Sequence, residues 1–272
     1  MRVIPISVCL ALGFACARVQ SSAAPIVEGE VRVADFGETL FFPGEAVVWD
    51  VRWFDVVMGG MSLAVGQPGE VEGQPALIVR IEVHTAGVLA AIKKVRGEVA
   101  TMLDLGSGIP MKVAGSIDDL YSGDVMKADY KPKAVSLDWR TWAAKTPSGA
   151  PITELAGTVG WLRGWDGGKG EKAHFFARFR GRIYRVDAVA RGTELLEQGG
   201  ARVRARRVDG ILTRMTHDMR PNLSDYTYPF IGWATDDDQR IPLRIHVQAP
   251  RGGVIALEMT AYQRGVTSVT TR

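Results

Sequence analysis

The sequence predicts a predominantly all-β protein, built as a single antiparallel curved sheet or half-closed β-barrel of many short strands with one short helix. Three observations lead to this fold class. Apolar and polar residues alternate with a period of two in several segments, which is the pattern of half-buried strands. Turn-forming stretches rich in Gly, Pro and Asp separate these segments at short intervals, as hairpins require. The 272 residues include 31 Gly and 13 Pro, which argues against a helical bundle.

The composition excludes several classes of protein. Hydrophobic residues make up 46% of the chain and charged residues 23%, so the chain has enough apolar material for a core and is not disordered. Lys and Arg number 33 against 30 Asp and Glu, and so small an excess is no signature of nucleic-acid binding. A single β-domain can use roughly 200 to 250 residues, so one domain is enough to account for the chain.

The N-terminal residues have the layout of an export signal. A positively charged start precedes an apolar run over residues 3–14, which is too short to span a bilayer. Residues 12–16 resemble a bacterial lipobox, except that the aliphatic Leu12 lies four positions before Cys16 rather than three. We expect Cys16 to be lipidated. The alternative is cleavage after Ala17 by an ordinary signal peptidase.

The chain is expected to have three parts: an export signal at residues 1–16, a flexible tether at 17–37 and a single β-rich domain at 38–272. The tether mixes Ser, Ala, Glu and Gly with isolated valines and shows no firm period, as flexible segments do. Both cysteines, Cys9 and Cys16, precede the tether. No disulfide is therefore expected in the domain.

Four segments alternate as half-buried strands do, and the first two do so most clearly. Their apolar side chains share one parity: Val47, Trp49, Val51 and Trp53; Leu77, Val79, Ile81 and Val83; Val135, Leu137 and Trp139; Ile241, Leu243, Ile245 and Val247. Polar residues such as Arg80 and Glu82 take the other parity, which predicts a sheet with one buried face. Pro242 has no backbone N–H, so the last strand lies at a sheet edge or begins there.

One helix is predicted, over residues 153–163. Thr153 can cap its N-terminus, and one apolar stripe recurs at positions i, i+4 and i+7: Leu155, Val159 and Leu162. Gly157 and Gly160 weaken the prediction, because glycine has a low helix propensity. Such a helix would pack on one face or end of the sheet, or would be merely a connector.

Three blocks of the sequence resemble a bacterial envelope family. They are Gly44-Glu45 with residues 47–53 and 59–65; residues 179–186 with 192–194 and 199–200; and residues 233–237 with 240–245, Gly253 and the segment up to Tyr262. Over about residues 40–264 the chain resembles the family labelled domain of unknown function 3108. The resemblance implies an exported, β-rich protein, often a lipoprotein, with an open or half-closed barrel. That family has no established catalytic residues to carry over.

No group of residues has the spacing of a catalytic or metal site, so no enzymatic activity, metal or cofactor is expected. The acidic run at residues 236–238 lacks the alternate spacing of a calcium loop and is expected to be a solvated hairpin tip. Arg202, Arg204 and Arg206 share one strand face. We expect that face to be solvated, with a surface for anionic ligands as the alternative.

Five aromatic residues on apolar parities are the candidate ligand-binding residues: Trp49, Trp53, Trp139, Phe175 and Phe179. Such side chains fill the core of a barrel or line a cavity for an apolar ligand, and both interpretations stay open here. The expected function is the binding of an apolar or amphiphilic ligand, such as a lipid, in the curved sheet. The alternative is a non-catalytic structural or assembly factor that acts through an envelope protein partner.

The expected location is the periplasmic side of the cell envelope. An outer-membrane anchor at Cys16 is favoured over a periplasmic or secreted protein, and the lipid anchor is the only expected membrane contact. No nucleic-acid partner is expected.

Overall fold

Strands dominate the part of the chain that the structure describes, which also contains two helices. The structure is a computed structural model that describes residues 32–33, 40–92, 94–119, 122–131, 134–137, 140–142, 152–179, 182–216, 218–222, 227–249 and 252–265. The predicted export signal with Cys16, most of the predicted tether, and Trp139 lie outside the described residues.

The seventeen strands that the structure describes belong to one sheet. In chain order they are β1 (Arg32–Val33), β2 (Ala46–Trp53), β3 (Val56–Val65), β4 (Gly69–Val71), β5 (Gln74–Thr85), β6 (Arg96–Asp104), β7 (Pro110–Asp119), β8 (Ser122–Lys131), β9 (Ala134–Leu137), β10 (Arg140–Trp142), β11 (Ile152–Glu154), β12 (Lys172–Phe179), β13 (Arg182–Gln198), β14 (Ala201–Arg214), β15 (Thr227–Thr235), β16 (Pro242–Gln248) and β17 (Val254–Gln263). The two helices are α1 (Gly87–Ile92) and α2 (Leu155–Gly164).

The sheet rolls into a nearly closed barrel of 12 strands with one unsealed seam, which confirms the predicted fold class. Antiparallel pairing runs from β12 to β17, continues into β2 and β3, and then passes through β5 to β8. The short β1 and β11 pair in parallel with β12 at one end of this series. At the other end, β9 and β10 extend the series from β8.

The alternation in the sequence correctly assigns the inner and outer faces of β5. Leu77, Val79 and Ile81 are buried, whereas Arg80 is exposed. Pro242 is the first residue of β16, in agreement with one of its two predicted positions. It does not lie at a sheet edge, because β16 pairs with both β15 and β17.

The single strand predicted across residues 135–140 is wrong. The segment contains β9 and β10, which pair with each other in antiparallel orientation and place Leu137 opposite Arg140. Periodicity does not reveal such a reversal, because two short strands separated by an even number of residues keep the same alternation in sequence.

The predicted helix exists as α2, and it packs against the inner face of the sheet, which is one of its expected positions. Ala156 and Val159 pack with the inner side chains of β2, β3, β5 and β6. Trp161 packs with the inner side chains of β12, β13 and β15, and its ring centroid lies 4.7 Å from that of Phe175. A helix in contact with both walls lies inside the barrel.

The N-terminus of α2 differs from the prediction. Glu154 caps the helix in place of Thr153: its Oε1 accepts hydrogen bonds from the N–H groups of Ala156 at 2.8 Å and Gly157 at 3.3 Å. A Cβ at Gly157 would lie 1.9 Å from Oγ1 of Thr153. The glycine that weakens the prediction is therefore required by the close approach of the Thr153 side chain.

A buried ion pair joins α2 to the barrel wall. The guanidinium of Arg163 and the carboxylate of Glu45 form a bidentate pair, with side-chain exposures of 2% and 0%. Arg163 also donates to the carbonyl of Arg240 at 3.0 Å and to that of Gln239 at 2.8 Å. These bonds hold the last turn of α2 between the start of β2 and the loop before β16.

Candidate functional site

The barrel contains an apolar cavity of about 360 Å³ beside the N-terminal end of α2. Its walls come from β2, β3, β5, β6, β7, β12 and β17, and most of the lining is apolar, including Val51, Met61, Ile81, Val83, Val99 and Leu257. The volume falls within the range of small-molecule sites, about 300–1,000 Å³. The space is therefore large enough for an apolar ligand.

Two charged side chains line the cavity near its inner end, where α2 begins. Glu154 of β11 and Arg178 of β12 stand opposite each other in the parallel ladder and project from the same face. Both are buried, with exposures of 3% and 6%. The cavity is thus amphipathic, with apolar walls and a polar inner end.

Burial raises the pKa of the Glu154 carboxyl above its ordinary value of 4.5, because a charge is poorly solvated there. The N–H groups at the start of α2 and the charge of Arg178 act in the opposite direction and favour the carboxylate. The net direction is upward, so burial outweighs these favourable interactions.

The cavity meets solvent near the ends of β12 and β5. Phe179, the last residue of β12, lines the cavity and is 48% exposed. Leu89 of α1 also lines it, and α1 follows directly after β5. No pattern in the sequence predicts α1, because its six residues are too few for an apolar stripe.

A second cavity, of about 80 Å³, lies on the other side of α2, against β13 to β16. Arg206 and Arg240 line it, and both are engaged by Asp166, whose Oδ1 lies 2.9 Å from Nη1 of Arg206 and from Nη2 of Arg240. Arg163 and Arg207 also line it and are paired with Glu45 and Asp209. Because this space is several times smaller and the arginines that line it are paired with acids, we place the candidate site in the larger cavity.

The arginines of β14 do not all lie on a solvated face: Arg202 and Arg204 are exposed, whereas Arg206 lines the smaller cavity. Nε of Arg204 lies 2.8 Å from Oδ2 of Asp236 across the surface. Asp237 accepts hydrogen bonds from the N–H groups of Gln239 at 3.0 Å and Arg240 at 2.9 Å, within the turn between β15 and β16. These carboxylates thus serve the turn and its neighbours. In the part of the chain that the structure describes, no group of three or more His, Cys, Asp or Glu residues could hold a metal ion.

The structure does not bring the aromatic candidates together. Phe179 lines the larger cavity, while Trp49 and Phe175 are fully buried core residues in two different clusters. Trp53 lies at the exposed end of β2, against the ring of Phe54. Of the described aromatic candidates, Phe179 alone lines the larger cavity.

Sequence reasoning missed the polar end of the cavity. Glu154 lies at the start of the helix and Arg178 lies in an alternating strand, and both have the sequence character of surface residues. Only the parallel pairing of β11 with β12 brings them together, and the sequence contains no local signal for a pairing between segments so far apart.

Among the described residues, no helix is both long and apolar enough to cross a bilayer.

The comparisons with known proteins show a fold and no family. No family model matches the chain, and no curated protein matches it. Among solved structures, it is similar to a β-barrel-like protein of domain of unknown function 1849 from Brucella abortus. The sequence identity is 10%, the TM-score is 0.54, and the alignment covers 86% of this chain and 99% of the other. At this identity the likeness shows a β-barrel-like fold alone.

Two weaker likenesses are to a protein with YmcC-like fold from Bacteroides fragilis and to the lipoprotein LppX from Mycobacterium tuberculosis. The first has 11% identity and a TM-score of 0.36, with 83% of this chain and 100% of the other covered. The second has 14% identity and a TM-score of 0.26, with 83% of this chain and 89% of the other covered. No conclusion is drawn from likenesses this weak.

Proposed function

We propose that this chain is an exported cell-envelope protein that binds an apolar or amphiphilic ligand inside its barrel. The observation that carries the proposal is the cavity of about 360 Å³, which has apolar walls and opens beside Phe179. A packed core leaves few voids larger than a water molecule, so a space of this size in an otherwise well-packed barrel favours a ligand site.

The arrangement of the lining favours an amphiphile over a purely apolar molecule. The hydrocarbon part of such a ligand would lie against Val83, Val99 and Leu257, where burial of apolar surface contributes about 25 cal/mol per Å². Its polar group would lie near Glu154 and Arg178, since a polar group buried without a hydrogen-bond partner is unfavourable. Lipids with one or two short acyl chains have this character.

The proposed location follows from the sequence. The apolar run at residues 3–14 and the cysteine at position 16 support export and a lipid anchor on the periplasmic side, at the outer membrane. The resemblance to domain of unknown function 3108 supports the same location. We propose a binding protein and not an enzyme, because Glu154 is engaged as the cap of α2 and so is poorly placed for proton transfer to a ligand.

The experiment is the capture of an apolar fluorophore, N-phenyl-1-naphthylamine, by the purified chain. Val99 lines the cavity opposite Ile81 in the ladder between β5 and β6, so Val99→Phe places extra volume in the cavity. The control is Ile78→Phe, on the outer face of β5, where the side chain is 39% exposed. We expect saturable capture by the wild type and by the control, and at least tenfold weaker capture by Val99→Phe.

Urea unfolding of the three proteins shows whether Val99→Phe stays folded, and only a folded variant is compared. If the wild type captures no probe, or if both variants capture it equally, the cavity is not a ligand site. The alternative function, a structural or assembly factor that acts through protein contacts, would then be favoured. Mass spectrometry of lipids that copurify with the chain from its native envelope identifies the ligand class.

A further inference from the structure

Exposed large hydrophobic side chains are concentrated at one end of the barrel. Of the ten that the structure describes as exposed, six lie at the end where the larger cavity opens: Trp53, Phe54, Val56, Ile92, Phe179 and Ile255. Trp53 stands opposite Ile255 in the ladder between β2 and β17, and Phe179 lines the cavity itself. We call these six residues the apolar rim. Scattered exposed hydrophobics need no explanation, but a concentration around a cavity mouth indicates an interaction surface.

The hairpin between β2 and β3 presents an aromatic ring in an unfavourable backbone conformation. Phe54 and Asp55, at its tip, have φ values of +46° and +62°. Two-residue hairpin turns of this kind favour Asn and Gly, and a bulky residue in the left-handed region is uncommon. Phe54 is 67% exposed, so burial in the core does not offset this strain. Such strain at an exposed position indicates a functional role for the side chain.

Gly253 leaves room for the two rings of this hairpin. A Cβ at Gly253 would lie 2.7 Å from Nε1 of Trp53 and 2.8 Å from Cζ of Phe54. The ring centroids of Trp53 and Phe54 are 5.1 Å apart, so the two rings support each other at the surface. The tip is thus a defined structure that holds aromatic side chains outward.

Basic residues flank the apolar rim. Lys94 and Arg96 follow Ile92 in the chain, Arg182 begins the strand after Phe179, and all three are exposed. Aromatic and aliphatic side chains bind at the boundary between lipid head groups and acyl chains, while anionic head groups attract Lys and Arg.

We propose that the apolar rim docks on the surface of a bilayer that contains anionic lipids, with the cavity mouth toward the lipid. This contact is additional to an N-terminal anchor. The proposed contact does not require that the cavity hold a ligand, so its test is independent of the test of the proposed function.

The test uses the full chain with a single fluorophore. Cys9 and Cys16 are the only cysteines of the sequence, so a Cys9→Ser/Cys16→Ser background removes lipidation and every native thiol. Val56→Cys then places a nitrobenzoxadiazole label in the apolar rim, and Leu195→Cys places it at a control position that is 67% exposed. The vesicles contain phosphatidylethanolamine and phosphatidylglycerol with brominated acyl chains, which quench fluorophores that enter the bilayer.

We expect the label at position 56 to shift to shorter wavelength and to be quenched, and the label at position 195 to remain unchanged. Equal quenching at both positions would mean that another part of the chain, such as residues 3–14, attaches to the vesicle. A shift at position 56 that grows with protein concentration in the absence of vesicles would mean that a second copy covers the apolar rim. Either result overturns the proposal.

An unlabelled variant gives a second measurement. Phe54→Asn removes the ring and places a residue favoured in the left-handed region, so its urea midpoint should be no lower than that of the parent. Its affinity for the vesicles should fall about tenfold, since the interfacial burial of one aromatic side chain is lost. Leu195→Asn is the matched control and should leave the affinity unchanged. An unaltered affinity of Phe54→Asn also contradicts the proposal.

Discussion

The ion pair between Glu45 and Arg163 offers a quantitative test of the interior. Both side chains are buried, and the two residues lie 118 positions apart in the sequence. Arg163→Met removes the guanidinium and keeps most of the side-chain volume. The carboxylate of Glu45 is then left in the interior without its partner, while the carbonyls of Gln239 and Arg240 lose a hydrogen-bond donor.

The expected loss in the free energy of unfolding is large. Breaking a buried ion pair by removal of one partner destabilises by about 3–5 kcal/mol, mostly because the remaining charge is poorly solvated. Replacement of both partners by apolar residues is often close to neutral, although the two carbonyls still lack their donor and cost about 1 kcal/mol each. We therefore expect the Glu45→Leu/Arg163→Met protein to regain about 2 kcal/mol relative to Arg163→Met alone.

The assay is urea unfolding at pH 7, followed by tryptophan emission, for the wild type, both single variants and the double variant. The coupling energy from this cycle should be at least about 2 kcal/mol, provided that the m-values agree. Two results would refute this reasoning: a loss in the free energy of unfolding of less than about 1 kcal/mol for Arg163→Met, or single losses that simply add in the double variant. Either result would mean that Glu45 and Arg163 are not a buried pair and that α2 does not lie inside the barrel.

Three further predictions concern the two faces of β5, the buried carboxyl of Glu154 and the N-terminal lipid anchor. Ile81→Asp should lower the free energy of unfolding by several kcal/mol, because it buries an unpaired charge. Glu82→Lys on the outer face should lower it by about 0.5 kcal/mol or less. Equal shifts in the urea midpoints of the two variants would refute the assigned faces of β5. Because the pKa of Glu154 is raised above 4.5, the folded protein holds this proton more tightly than the unfolded chain, so the wild type should lose stability as the pH rises above 4.5. Urea unfolding across that pH range should show a weaker loss for Glu154→Gln. Cys16→Ser should move the protein out of the detergent phase in a partitioning assay, because lipid chains supply the proposed membrane affinity.

The sequence predicts the strands of this fold well because their signal is local. Leu77, Val79 and Ile81 face inward for the reason that the pattern indicates: one side of the sheet is buried and the side chains alternate. The position of α2 depends on contacts that are distant in sequence. Arg163 has the character of a surface residue in the sequence, and it is buried because Glu45, 118 residues away, pairs with it.

For the candidate site too, local patterns in the sequence predict which side chains face inward, but they do not predict the cavity. The pattern places Ile81 and Val83 inside the barrel, but whether inner side chains fill the interior or leave a cavity depends on the radius of the barrel and on where α2 begins. Trp49 illustrates the difference: its parity is correctly predicted, yet it is packed in the core and donates from Nε1 to the carbonyl of Pro242 at 3.0 Å. Parity alone did not distinguish this residue from one that lines a cavity.

The position of α2 links the stability of the barrel to the proposed ligand. The N-terminal end of the helix forms the inner end of the cavity through Glu154 and Leu155, while Arg163 fixes its last turn. A ligand that fills the cavity stabilises the fold by about 2.7 kcal/mol at one hundred times its Kd. If Arg163→Met only weakens the barrel and α2 stays in place, the ligand should raise the urea midpoint of this variant as much as that of the wild type. If α2 moves, the inner end of the cavity is lost with it, and the variant should lose both its stability and its response to ligand.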